Sequence, residues 1–221
     1  GRNIIRNRGE NLLTRMIGVE FECMYGVSHP ARSLFVDTAI FGGSNGYWRI
    51  EALRHTRFDP RFMTEDIDAS SRALLDGYRI VADRSIVSTE LAPTNFRSLW
   101  FQRKRWAQGW LEVTIRYQRE FWSSKRLGLG QKVYWTYLLL YRELYPPITL
   151  QILPLILSLL LLTGAVPLKA HWYLWSTALI TFASGPYQTL VAVKNAHVRP
   201  KLWTAFEYAI FVFFYVIVKN M

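Results

Sequence analysis

The chain has 221 residues and a formal net charge of +11, with 51 % hydrophobic and 15 % aromatic residues. That is too apolar and too aromatic for a disordered chain. The single cysteine, Cys23, excludes an internal disulfide and a cysteine-based metal site, and the four histidines show no zinc-ligand spacing.

Gly1 to Arg6 is too polar for the apolar core of a signal peptide, and the start reads as an internal one, cut from a longer protein. Glu10 to Tyr25 carries Leu12, Leu13, Met16, Ile17, Phe21 and Met24 at near-helical spacing. Ser28-His29-Pro30 is expected to break that helix. Phe41-Gly42-Gly43-Ser44-Asn45-Gly46 is a glycine-rich turn, Tyr47 to Leu53 opens a short helix, and Phe58-Asp59-Pro60 turns again. Thr64 stands where a helix N-cap belongs, with Glu65, Asp66 and Asp68 in the first turn and Gly77 as the stop. Arg79 to Ala82 and Ser85 to Ser88 read as short strands, and Thr94 is placed to cap the next helix.

From Arg97 to Tyr145, ten Lys and Arg face three Glu and are interleaved with Trp100, Trp106, Trp110, Trp122 and Trp135. A basic amphipathic stretch of this kind fits a helix lying on the cytoplasmic face of a membrane. After Pro146 only Lys169, Lys194, Arg199, Lys201, Lys219 and Glu207 are charged. Three apolar spans are expected there: Pro147 to Leu162, Trp172 to Val193 and Leu202 to Val218. The basic loop from Lys194 to Lys201 puts that loop and the N-terminal region in the cytoplasm. Glu207 falls in the third span, facing either a polar channel or the cytoplasmic interface.

Two motifs carry chemistry. Thr64-Glu65-Asp66 is the first, and Gln102-Arg103-Lys104-Arg105-Trp106, of pattern Q-x-x-R-W, is the second. Taken alone, the first reads as an acidic helix cap and the second as a basic interfacial helix. In this order, fewer than forty residues apart and ahead of apolar spans, they resemble the processive family 2 glycosyltransferases, the group of cellulose, hyaluronan, chitin and curdlan synthases. Phe41-Gly42-Gly43-Ser44 resembles the glycine-containing motif that lines the acceptor site in that family.

The resemblance implies the C-terminal portion of an α/β GT-A-like glycosyltransferase domain over residues 1–96. Amphipathic interface helices follow over 97–145, and a transmembrane α-helical region over 146–221. A sugar hydroxyl is a poor nucleophile, so a carboxylate must take its proton as it attacks the anomeric carbon. The family's T-E-D aspartate does this, which makes Asp66 the implied base, with Thr64 and Glu65 beside it. The leaving nucleotide diphosphate needs a cation, the role implied for Arg105. Trp106 would stack on the acceptor sugar, Gln102 would hydrogen-bond near it, and Gly43 and Ser44 would line the same site.

The implied partners are a UDP-sugar donor, a growing polysaccharide acceptor and the lipid bilayer, with accessory subunits or an oligomer left open. UDP-glucose and a β-glucan product are the first choice, because Phe41 to Arg49 is most similar to bacterial β-glucan synthases. The implied location is the bacterial inner membrane, multi-pass, with the catalytic side cytoplasmic. Transfer of one sugar to a lipid carrier, or a non-catalytic subunit of a polysaccharide-export complex, are the alternatives. Asp66-Ile67-Asp68 spells D-x-D, but the family's metal ligands lie upstream of T-E-D. The Mg2+ or Mn2+ site is therefore expected outside this chain, and no nucleotide-binding series of strands and loops is expected before Glu10. Nucleic acid is not an expected partner, since the basic stretch abuts apolar spans and no nucleic-acid-binding motif is present.

Overall fold

The computed structural model of the chain describes residues 1–149, 156, 159–160, 163–164 and 171–210. Helix α1 (Leu12–Cys23) follows the N-terminal strand. Asn11 starts it with a reciprocal cap: Asn11 Oδ1 accepts the Thr14 N–H at 2.9 Å, and Thr14 Oγ accepts the Asn11 N–H at 3.1 Å. The expected break at Ser28-His29-Pro30 is not there. A π-helical turn, Met24–Ser28, runs straight into α2 (His29–Phe35). Pro30 is the second residue of α2, directly after the π-helical turn.

Strand β1 (Arg2–Ile5) pairs in parallel with β2 (Val87–Glu90), Arg2 opposite Val87 and Ile5 opposite Glu90. A single strand thus precedes Glu10, and all four of its residues are buried. Parallel pairing requires a long crossover, which α1, α2, α3 (Ile50–Thr56) and α4 (Glu65–Leu75) supply. Strand β2 starts two residues later than expected. Asp83 Oδ1 accepts both the Ser85 N–H at 2.8 Å and the Ser85 hydroxyl at 2.7 Å, turning the chain before pairing begins. Residues 79–82 form no strand. They are tied to residues 38–41 by one backbone bond, from Ala39 N–H to the Ile80 carbonyl at 2.8 Å.

Helix α5 (Phe96–Ser123) is capped by Asn95, whose Oδ1 accepts the Ser98 N–H at 2.9 Å, rather than by Thr94. It serves two cores. Leu99 packs with Ile5, Ile17 and Phe21. Val113 and Phe121 pack with Ile67, Leu74 and Trp135, the last from α6 (Leu129–Thr149). The Phe121 and Trp135 rings stack with centroids 5.0 Å apart.

Helix α1 also presents two buried carboxylates. Glu20 takes both ends of the Arg103 guanidinium, at 2.8 and 3.2 Å, and each side chain is only 4 % exposed. Glu22 pairs with Arg2 and accepts the His197 N–H at 3.3 Å, while Arg2 donates to the Asn195 carbonyl at 2.6 Å. These bonds hold the end of α7 (His171–Asn195) against α1. Glu207, in the helical segment 202–210, is forked by Arg15 of α1 at 3.1 and 3.2 Å.

Among the described residues no helix is long and apolar enough to cross a membrane. The second expected span falls on α7, which carries the polar residues Ser176, Gln188 and Thr189. Most of the first span, and the third from residue 211 on, lie outside the described residues.

Breaking the Arg103–Glu20 pair from one side leaves a buried charge. Arg103→Met should cost about 3–5 kcal/mol of stability in denaturant unfolding of the full-length protein, and Glu20→Met with Arg103→Met should recover most of it. Equal losses in the single and double variants would refute a coupled pair.

Candidate active site

The site forms where the glycine-rich loop, the N-terminus of α4 and one face of α5 meet. Thr64 occupies the N-cap position of α4, but its side chain makes no capping bond. Its buried hydroxyl has no hydrogen-bond partner, and its backbone carbonyl receives the Ile67 and Asp68 N–H groups at 3.2 and 3.1 Å. Helix α5 presses on it from outside. A Cβ added at Gly109 would lie 2.6 Å from Thr64 Cγ2 and 2.7 Å from its amide nitrogen, so only glycine fits there. The close approach brings α5 to the first turn of α4.

Asp66 lies in that first turn and is half-buried. Its Oδ1 accepts the Ile67 N–H at 2.9 Å. Its Oδ2 faces the glycine loop, where a Cβ at Gly43 would sit 3.0 Å away. Gly43 also has φ +82°, a left-handed conformation that favours glycine. Glycine is thus required at 43 by its backbone and by the carboxylate in front of it. The Ser70 hydroxyl staples the loop to α4, donating to the Asp66 carbonyl at 2.8 Å and accepting the Phe41 N–H at 3.0 Å.

Burial pushes the Asp66 carboxyl up to about 6, and the Glu65 charge adds to the rise. The Ile67 N–H and the Arg105 guanidinium oppose it. Arg105 is exposed and donates to the Met63 carbonyl at 2.9 Å, one residue before the Thr64-Glu65-Asp66 motif. An acid with an affinity this close to neutrality, an adjacent cation and an open loop form an arrangement suited to accepting a proton while negative charge develops nearby.

The other expected residues divide. Gln102 has a buried Oε1 with no protein partner. Trp106 is half-buried, and the Arg103 guanidinium covers one of its faces at 4.4 Å. Only the remaining indole surface is left for a ligand. Ser44 is committed to the protein: it accepts from Asn3 Nδ2 at 2.5 Å and donates to Glu90 Oε2 at 3.2 Å. Asn45 extends this anchor, donating to the Arg2 and Ile86 carbonyls at 3.2 and 3.3 Å. The loop is therefore fastened to the end of the β1–β2 pair.

Asp68 diverges from Asp66. It is fully buried, accepts the Tyr117 hydroxyl at 2.6 Å and pairs with Arg72 at 2.5 Å. Asp66 and Asp68 thus do not fit a divalent cation between them, and among the described residues no three His, Cys, Asp or Glu side chains cluster to hold one. The sequence reasoning missed Gly109, Arg103 with Glu20, and the anchor of Ser44 by Asn3 and Glu90. Gly109 alone carried a local signal, since a glycine deep inside a long helix asks for a packing reason.

A family model described as glycosyl transferase family group 2 matches residues 1–217. The chain is 30 % identical over 133 residues to the probable glucomannan 4-beta-mannosyltransferase 14 of Arabidopsis thaliana, an alignment covering 59 % of this chain and 25 % of that protein. It is 26 % identical over 205 residues to the probable glucomannan 4-beta-mannosyltransferase 7 of Oryza sativa subsp. japonica, covering 91 % and 34 % respectively. With the glucomannan 4-beta-mannosyltransferase 1 of Cyamopsis tetragonoloba it shares 26 % identity over 132 residues, covering 59 % and 25 %. The chain spans a quarter to a third of the length of these curated relatives.

The Gly109–Thr64 contact is open to test. Gly109→Ala should cost about 1–3 kcal/mol through overpacking and should lower activity by shifting the first turn of α4. Gly130→Ala, in a helix with open space around that position, is the control and should be neutral or stabilising by up to about 1 kcal/mol. Equal behaviour of the two variants in thermal unfolding would show that the α4–α5 approach is not tight.

Proposed function

Because this chain belongs to glycosyl transferase family group 2, whose catalytic domains have the GT-A-like α/β fold, we propose that it forms the acceptor side of the active site of an inverting, polysaccharide-forming glycosyltransferase. The observation that carries the proposal is Asp66: a half-buried carboxyl pushed up to about 6, facing Gly43 of the glycine-rich loop with Arg105 close by.

In the proposed reaction the acceptor hydroxyl oxygen attacks the anomeric carbon of the donor sugar. Its proton passes to Asp66 as the new glycosidic bond forms. The bond from the anomeric carbon to the diphosphate breaks on the opposite face, and the nucleoside diphosphate leaves with both electrons. Arg105 meets the charge that develops on it. Gln102, with its unpartnered Oε1, and the free surface of Trp106 contact the acceptor sugar. Thr64 and Glu65 shape the base: Thr64 sets the start of α4, and the Glu65 charge helps keep the Asp66 proton affinity high. Ser44 holds the loop rather than the sugar.

The donor is a nucleotide-activated hexose. Relatives named glucomannan 4-beta-mannosyltransferases favour a β-linked mannosyl or glucosyl product, with UDP-glucose and a β-glucan retained from the likeness of residues 41–49 to β-glucan synthases. A Mg2+ or Mn2+ ion at the diphosphate belongs to the remainder of the protein. The apolar run from Leu155 to Leu162 and the nearly uncharged stretch from Leu202 to Val218 support a membrane-embedded C-terminal region that receives the growing chain.

The test is nucleoside diphosphate release from membranes holding the full-length protein, with UDP-glucose, GDP-mannose and UDP-N-acetylglucosamine as donors. Asp66→Asn should lower kcat by about 100-fold or more with the preferred donor and leave its KM nearly unchanged. A base must be unprotonated to act, so wild-type kcat/KM should fall as pH drops through about 6, and that limb should disappear in the variant. A rate unchanged by Asp66→Asn would refute the base assignment, and glycolipid in place of polymer would refute the processive reading.

A further inference from the structure

The glycine loop is supported from two sides, and the function proposed above uses only one. Gly43 rests on Asp66. Gly42, its neighbour, rests on a buried tyrosine in the π-helical turn: a Cβ at Gly42 would lie 2.5 Å from the Tyr25 hydroxyl oxygen, and 3.2 and 3.3 Å from its Cε1 and Cζ. Two successive glycines are thus each required by a polar group pressed against them, the first by Tyr25 and the second by Asp66.

Tyr25 is held firmly. It is 7 % exposed, and its ring sits between Phe21 at 5.5 Å and His29 at 4.8 Å. The Asn3 side chain opposes the rise in the Tyr25 proton affinity. That residue also donates to Ser44 of the loop and accepts the Ser88 hydroxyl at 2.5 Å. Burial keeps the Tyr25 phenol neutral far above the ordinary range, and the charges of Glu90, Asp66 and Glu20 reinforce this. Burial likewise keeps His29 neutral, pulled down to about 3. The π-helical turn is what brings Tyr25 there, because the extra residue it inserts re-aims the side chains that follow α1.

We propose that Tyr25 is a positioning residue for the reaction: its hydroxyl, held beneath Gly42 by the packing of its ring between Phe21 and His29, sets the height of the Gly42–Gly43 turn over Asp66 and so keeps water from the carboxylate that takes the acceptor proton. This rests on Asp66 being the base. The Glu65 charge on its own helix raises the Asp66 proton affinity and the Arg105 guanidinium on α5 lowers it, while the Asp66 charge acts in turn on the Tyr25 phenol. A tyrosine with a purely packing role would tolerate loss of its oxygen, since the ring remains.

The experiment is a double-mutant cycle on the full-length protein in membranes, read by nucleoside diphosphate release across pH with the donor that supports turnover. Gly42→Ala drives a methyl into the Tyr25 oxygen and should lower kcat about 100-fold, the cost of misplacing a reacting group by about 1 Å, with KM for the donor nearly unchanged. Tyr25→Phe should lower kcat by about 10-fold, within that cost, and move the acid limb of the profile to lower pH as water reaches Asp66. The combination Tyr25→Phe with Gly42→Ala removes the oxygen that the methyl strikes, and should recover kcat to the Tyr25→Phe level rather than multiply the two losses. Multiplicative losses in the double variant, or a Tyr25→Phe profile that superimposes on the wild type, would overturn the inference. Asp66→Asn run alongside separates the two readings: full activity there removes the base itself, whereas an inactive Asp66→Asn with a failed cycle removes only Tyr25.

Discussion

The site depends on the buried pair between Arg103 and Glu20. Two charges this deep are stable only when each satisfies the other, so the rotation of α5 about its own axis is fixed at that point. The consequence follows from helix geometry. Arg105 is two residues further on, about 200° around the helix. With Arg103 turned inward to α1, Arg105 is turned outward to the Met63 carbonyl and the first turn of α4. Gly109, four residues on from Arg105, comes round to nearly the same face and meets Thr64. Of the three consecutive basic residues, one is structural, one lies at the candidate site, and Lys104 is exposed. The same guanidinium also limits Trp106, because it covers one face of the indole.

Helix α1 extends that logic along the chain. Its Glu20 orients α5, its Glu22 secures β1 and the end of α7, and its Arg15 holds Glu207. The strand that Glu22 secures carries Asn3, which in turn anchors the glycine loop through Ser44. One short helix with three charged side chains therefore sets the relative placement of the loop in front of Asp66, the helix behind it and the C-terminal helices. Arg2 has a buried Nε with no partner and Glu22 a buried Oε1 with none, so this second pair leaves polar atoms unsatisfied.

What was legible in the sequence was local. The T-E-D turn, the glycine loop and the Q-x-x-R-W helix each declare themselves within a few residues, and the fold brings Asp66, Gly43 and Arg105 together. What was not legible depends on partners far away. Strand β1 is four residues long, carries Arg2 and Asn3 among its buried positions, and pairs with residues beyond position 86, so neither alternation nor a hairpin signal marks it. Ser28-His29-Pro30 has the composition of a helix end, yet a π-helical turn carries the chain through it, a choice made by the packing of Tyr25 and His29 rather than by local propensity. Thr64 shows the opposite failure. Its residue type suits a cap, but the pressure of α5 on its side chain removes the capping bond, leaving only its position at the helix start.

That lost cap bears on the chemistry of Asp66. A carboxylate in the first turn of a helix is ordinarily stabilised by the exposed N–H groups and the helix dipole, which would make it a weaker base. Asp66 accepts one such bond, from Ile67, and Arg105 pulls in the same direction. Burial under the glycine loop outweighs both, and Glu65 adds to it, so the net result is a carboxyl near 6. The balance is set by what covers Asp66 rather than by what bonds to it. A side chain at position 43 would sit on the carboxylate itself, and a looser loop would let water in and return Asp66 toward an ordinary aspartate. The glycines at 42 and 43, the Ser70 staple and the Asn3–Ser44 anchor are therefore one device: they keep a carboxylate covered enough to be basic and open enough to meet a hydroxyl.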